Sequence, residues 1–223
     1  MRFLCLHGMG TNNKVFEIQT AALRYALGDH HTFEFVEGVV PAAMNDSLKG
    51  FFPATDGYFQ YFEENDAASC LKAVNDLEAF VAVEGPFDGV LAFSQGASVA
   101  TTLMVRSQQR DRPGDLLSPV FKCAVFLGAA VPCDAARLDE GVVREMTHEA
   151  DGEVIQLPTT HIWGEKDGSP YPPQLAALCA SRQKNVYVHG GGHEVPSSNT
   201  DEALRESVRV IKRAISMAQY KQA

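Results

Sequence analysis

A chain of 223 residues with 45% hydrophobic and 21% charged residues has ordinary globular composition, which excludes a disordered chain and suffices for a core without metals or disulfides. Its formal net charge of −9, with no long Lys/Arg run, argues against a nucleic-acid groove or an anionic membrane surface and favours a small, neutral or apolar substrate. Five cysteines, an odd number without C-x-x-C spacing, together with the lack of a signal-peptide pattern or a membrane-spanning apolar stretch, lead us to expect a reduced, cytoplasmic setting with no membrane span.

Taken in chain order, apolar runs rich in β-branched and aromatic residues predict strands at 3–6, 32–36, 90–93, 123–127, 161–163 and 186–188. Most lack polar alternation, as strands covered on both faces of a parallel sheet do. Helical patterns fall between them at 15–27, 67–83, 97–109, 173–181 and 201–219. This alternation implies right-handed crossovers and an α/β, doubly wound, mostly parallel sheet of about six strands with helices on both faces.

Two segments break the alternation within what is read as a single domain spanning 1–223. Residues 50–62 carry Phe51, Phe52, Tyr58, Phe59, Tyr61 and Phe62, and are expected either to wall a substrate pocket or to pack on the core. Residues 129–158 form an overlong, partly acidic connection with the dimensions of a lid.

The chemistry is concentrated at strand ends. Val90-Leu91-Ala92-Phe93-Ser94-Gln95-Gly96-Ala97 reads as a strand, a tight turn and a helix, with small residues two before and two after Ser94. A nucleophile elbow needs that spacing because neighbouring backbones pass close to the turn. By itself A-x-S-x-G also describes a structural serine at a helix start. Leu6-His7-Gly8-Met9-Gly10 follows the first strand, and this turn can aim the Met9 N–H, with that of Gln95, at a developing oxyanion. Its spacing does not match a dinucleotide-binding turn. His7 is expected to order the loop rather than act as a base.

A triad on such a sheet runs in the order Ser, Asp/Glu, His, each in the loop after its own strand. Asp167, in Trp163-Gly164-Glu165-Lys166-Asp167, and His193, in His189-Gly190-Gly191-Gly192-His193, fill the last two places, with Glu165 and His189 as competitors. The adjacent pair His30-His31 lacks companion ligands and reads as surface rather than metal site. No metal or other cofactor is expected.

Together, the turn at 6–12, the aromatic segment, Ala92-Phe93-Ser94-Gln95-Gly96-Ala97, Gly164-Glu165-Lys166-Asp167 and His189-Gly190-Gly191-Gly192-His193-Glu194-Val195-Pro196 resemble the mostly fungal FSH family of serine hydrolases along nearly the whole chain. The resemblance implies an α/β-hydrolase fold, Ser94, Asp167 and His193 as triad, and Met9 and Gln95 at the oxyanion hole. It also implies a stand-alone thioesterase releasing an acyl or polyketide chain, with an acyl carrier protein of a polyketide synthase as partner, or a carboxylesterase acting on small esters. The departure is Ala92, where the family usually has Gly. Two further readings stay open: a cyclase, aldolase or lyase using the same oxyanion hole and histidine, and a non-catalytic binding protein on a hydrolase scaffold.

Overall fold

The central strands form because each apolar run alternates its side chains between two covered faces. In the computed structural model, which describes residues 1–109, 120–196 and 201–220, Arg2–Leu6 is β1. Its Phe3 and Cys5 enter one core, while Leu4 and Leu6 enter the other. The same split recurs in the strand Gly89–Phe93, where Leu91 and Phe93 oppose Val90 and Ala92.

After β1 come α1 (Asn13–Gln19), α2 (Ala21–Leu27), β2 (Thr32–Val36), β3 (Val40–Pro41), β4 (Phe59–Gln60), α3 (Ala67–Glu84), β5 (Gly89–Phe93) and α4 (Gln95–Gln109). The chain continues through β6 (Cys123–Leu127), α5 (Ala135–Asp139), α6 (His148–Asp151), β7 (Thr159–Gly164), α7 (Tyr171–Ala177), β8 (Lys184–His189) and α8 (Asp201–Tyr220). Six strands make one parallel sheet in the order β2-β1-β5-β6-β7-β8. Phe16, Leu23 and Ile211 bring α1, α2 and α8 onto one face, whereas Val74, Leu103 and Leu175 bring α3, α4 and α7 onto the other.

All six expected strands are present, β1 and β5 longer by one residue and β7 and β8 by three. The helix expected over 15–27 is instead two helices meeting at Thr20 (φ −90°, ψ −1°), whose hydroxyl donates to the Phe16 carbonyl at 2.7 Å and competes with the helical ladder. The 50–62 segment contributes β4, which pairs antiparallel with β3. Residues 129–158 hold α5 and α6.

From β1 the chain passes to β2 on one side and returns to β5 on the other, so the C-terminal ends of β1 and β5 flank the point where strand order reverses. Doubly wound sheets open a crevice there. The His7–Gly10 turn and Ser94 both lie at this crevice. Among the described residues, no helix is long and apolar enough to cross a membrane, and no three His, Cys, Asp or Glu side chains converge as a metal site.

Candidate active site

Ser94 follows the last residue of β5 in the left-handed region, at φ +51°, a position rarely held by a non-glycine residue. Three hydrogen bonds pin it there: its N–H donates to the Leu127 carbonyl (3.0 Å), and its carbonyl accepts from Ala97 (3.0 Å) and Ala130 (3.1 Å). Two residues on, a Cβ at Gly96 would lie 2.5 Å from the His7 carbonyl oxygen and 2.7 Å from that of Leu6. Glycine is therefore required for α4 to start against the β1 turn. Ala92, fully buried between Leu6 and Phe126 in the sheet, is accommodated.

The structure brings Ser94, Asp167 and His193 together. His193 Nε2 lies 3.1 Å from Ser94 Oγ, and His193 Nδ1 lies 2.8 Å from Asp167 Oδ2. The other Asp167 oxygen, Oδ1, accepts the Ser169 N–H at 3.0 Å. Asp167 is almost wholly covered, with 2% of its side chain exposed, while the His193 side chain is 36% exposed, beside the Phe93 ring at a centroid distance of 5.0 Å. A carboxylate oxygen at Nδ1 fixes the proton on that nitrogen and leaves the Nε2 lone pair toward Ser94.

Neither competitor occupies the corresponding place. Glu165 is exposed, and its backbone N–H donates to the His189 carbonyl at 2.7 Å. His189 is buried, and its Nδ1 accepts the Gly191 N–H at 3.2 Å, which ties it to its own loop. Burial is the main cause lowering the His189 pKa, so the ring is held neutral.

The loops after β7 and β8 are stitched together by the Glu165 bond and by Lys166 N–H to the Gly191 carbonyl at 2.9 Å. Gly164 allows this approach, since a Cβ there would stand 2.3 Å from both the Gly191 and Gly192 carbonyl oxygens. Gly164→Ala is expected to push the His193 loop off Asp167, lowering kcat/KM for an ester about 10²-fold and costing about 1–3 kcal/mol of stability. Steady-state kinetics and thermal unfolding measure the two effects.

At the β1 turn, His7 is fully buried. Its Nε2 accepts the Gly38 N–H at 2.9 Å, so Nδ1 carries the proton and donates to the Gly8 carbonyl at 2.7 Å. Burial lowers its pKa to about 4, and the neutral ring orders the turn. Among the described hydrogen bonds, the backbone N–H groups of Met9 and Gln95 donate to no protein acceptor. Both remain available to an incoming oxyanion.

Two clefts open on this centre and share Met9, Ser94 and His193. The larger, of about 510 Å³, is walled by Phe62, Ser98, Val131, Cys133, Glu145 and Tyr171. Thr11, Gln19, Leu48, Phe51, Phe52 and Glu194 contribute to the smaller, of about 430 Å³. Phe51, Phe52 and Phe62 thus face the clefts, whereas Tyr58 and Tyr61 line neither of these two. Tyr58 packs on Val15 and Leu48, and the Tyr61 hydroxyl donates to the Val36 carbonyl at 2.7 Å while accepting the His7 N–H at 3.0 Å.

Gln95 contributes more than its backbone N–H, which is all that the A-x-S-x-G pattern implies for it. Its side chain accepts the Tyr61 N–H (2.8 Å) and donates to the Phe62 carbonyl (3.0 Å), fastening the aromatic segment to the turn at Ser94. The Ser169 amide lies outside the triad pattern, but its position two residues after an Asp in a loop is the signature of an Asx turn.

The family model described as "Serine hydrolase (FSH1)" matches residues 1–204. The chain belongs to the FSH1 serine hydrolase family. Esterase FPY3 of Fusarium mangiferae is 39% identical over 222 residues, covering 96% of this chain and 99% of that protein. Among solved structures, a carboxylesterase from Mesorhizobium loti superposes with a TM-score of 0.58 at 18% identity, over 96% of this chain and 88% of that one. SOBER1 of Arabidopsis thaliana gives 0.54 at 14% identity, over 96% and 99%. These structural likenesses identify the α/β-hydrolase fold. The family and the esterase relative make this chain a serine hydrolase of the esterase type.

Proposed function

We propose that this hydrolase cleaves an ester or thioester through an acyl-enzyme, with Ser94 as nucleophile, His193 as general base and acid, and Asp167 holding the imidazole. The observation that carries this is the unbroken chain from Ser94 Oγ through His193 to the covered Asp167 carboxylate, at the ends of three parallel strands. Ser94 Oγ attacks the carbonyl carbon as His193 Nε2 takes its proton. The Met9 and Gln95 N–H groups hold the oxyanion. His193 returns the proton to the departing oxygen or sulfur, then activates water to release the acid.

The 50–62 and 129–158 segments act as cleft walls on a single catalytic unit spanning 1–223. By resemblance to FSH thioesterases, the substrate is an acyl thioester and the reaction releases a polyketide chain from a synthase carrier protein. A small oxoester is the alternative substrate. Five buried free thiols support a reducing, cytoplasmic setting. Fluorophosphonate labelling tests the nucleophile: the wild type is expected to label and Ser94→Ala to stay unlabelled, and equal labelling of both overturns the assignment. Rates on matched acyl thioesters and oxoesters decide between the leaving groups.

A further inference from the structure

The larger cleft begins at Gln95 and Ser98, on the first turn of α4, and at Ala130, whose N–H holds the Ser94 carbonyl. On the reading of Ser94 as nucleophile, an acyl group esterified to it, with its carbonyl oxygen turned to the Gln95 N–H, would have this wall beside it. Val131, Val143 and Phe62 give the wall an apolar surface, and farther out it carries two carboxylates, Glu64 and Glu145. No Lys or Arg lines the cleft among the described residues. Of the two cations next in sequence to lining residues, Arg144 is committed to Asp134 and Asp151 at 2.7 Å each, and Lys166, beside Asp167, does not line the cleft.

Glu145 is held in place by the Tyr171 hydroxyl, which donates to its Oε1 at 2.9 Å. The Tyr171 phenol pKa is raised by that hydrogen bond first, then by partial burial and by the charges of Glu145 and Glu64, so both carboxylates act on the same space. Asn65, in the left-handed region at φ +62°, turns the chain beside Glu64. Asp167 also lines the cleft, but its charge is directed at His193. The two glutamates do not make a site of their own. They belong to the wall of the cleft that opens on Ser94.

We propose that Glu64 and Glu145 are specificity-determining residues that make the larger cleft a charge filter, admitting neutral or cationic acyl groups and rejecting acyl groups that end in a carboxylate. The inference rests on Ser94 as the acylated residue. A terminal carboxylate on a short acyl chain would approach two like charges across a partly water-filled cleft, a repulsion sufficient for about a tenfold loss. A cationic terminus gains instead, and a neutral chain is limited only by the apolar wall. A neutral polyketide or fatty acyl chain passes such a filter.

The test uses three p-nitrophenyl esters of similar acyl length: pentanoate, the glutarate monoester and 4-(trimethylammonio)butanoate. In the wild type, kcat/KM for the glutarate monoester is expected to fall about tenfold or more below pentanoate, with the cationic ester equal to or above it. Glu64→Gln/Glu145→Gln keeps the shape and the acceptor for Tyr171, and is expected to bring the glutarate-to-pentanoate ratio to within about threefold of unity. If the double variant does not fold, the wild type alone still decides: raising the salt from about 0.02 M to about 0.5 M is expected to narrow the gap. Equal rates on all three esters, or discrimination that survives the double variant or high salt, overturns the filter. Failure of the nucleophile reading is separate, and shows as pentanoate hydrolysis that persists in Ser94→Ala.

Discussion

Ser94→Ala is expected to lower kcat on a p-nitrophenyl ester by about 10⁴- to 10⁶-fold, and His193→Ala to do nearly the same. On the proposed mechanism, removing the Ser94 hydroxyl removes the atom that would form the acyl-enzyme. Removing the imidazole of His193 leaves that hydroxyl without the acceptor now 3.1 Å away, so its proton has nowhere to go at the moment of attack. Because the two groups serve one step, the double variant should be little worse than either single one. Residual turnover would come from the Met9 and Gln95 N–H groups acting on bound substrate with water as nucleophile. Single-turnover kinetics with thermal unfolding as a fold control checks the series. Retention of turnover in Ser94→Ala with loss in His193→Ala would transfer the chemistry to proton abstraction beside a carbonyl, and the covalent mechanism would fall.

The sheet was legible because each strand writes its own apolar run. Residues 32–36 and 123–127 coincide with β2 and β6, and Ser94 sits where a run ending at Phe93 meets small residues. Local pattern fails where one residue serves a distant one. Thr20 divides α1 from α2 through its own hydroxyl, so apolar periodicity passes over the break. Tyr58 and Tyr61 have the same composition signal as Phe51 and Phe62, yet their hydroxyls bond to the Pro53 and Val36 carbonyls and draw the rings inward. Gly164 looks like an ordinary loop glycine until the Gly191 and Gly192 carbonyls are found against it. The acid was ambiguous between Glu165 and Asp167 for the same reason. Two carboxylates two residues apart are distinguished only by which one the turn directs at the β8 loop, and the turn is set by contacts across strands.

That distinction makes Asp167→Asn the sharper of the acid-site experiments, with an expected loss of about 10⁴-fold in kcat. Ser169 decides which way the amide of an asparagine would face. Its N–H donates to Asp167 Oδ1 at 3.0 Å, so an asparagine at 167 must keep its carbonyl oxygen on that side to avoid setting two donors against each other. The amide NH₂ then faces His193 Nδ1, where Oδ2 now accepts at 2.8 Å. Nδ1 must become an acceptor, the ring proton moves to Nε2, and the lone pair that should receive the Ser94 proton is gone. Shape and packing barely change, so KM and the thermal midpoint should stay near wild type while kcat and the fluorophosphonate labelling rate fall together. Glu165→Gln, at an exposed side chain with no contact to His193, is expected to remain within about twofold of wild type, the scale of an ordinary surface substitution. If instead Asp167→Asn keeps kcat within tenfold and Glu165→Gln loses it, the acid is Glu165, and the loop after β7 must rearrange when substrate binds.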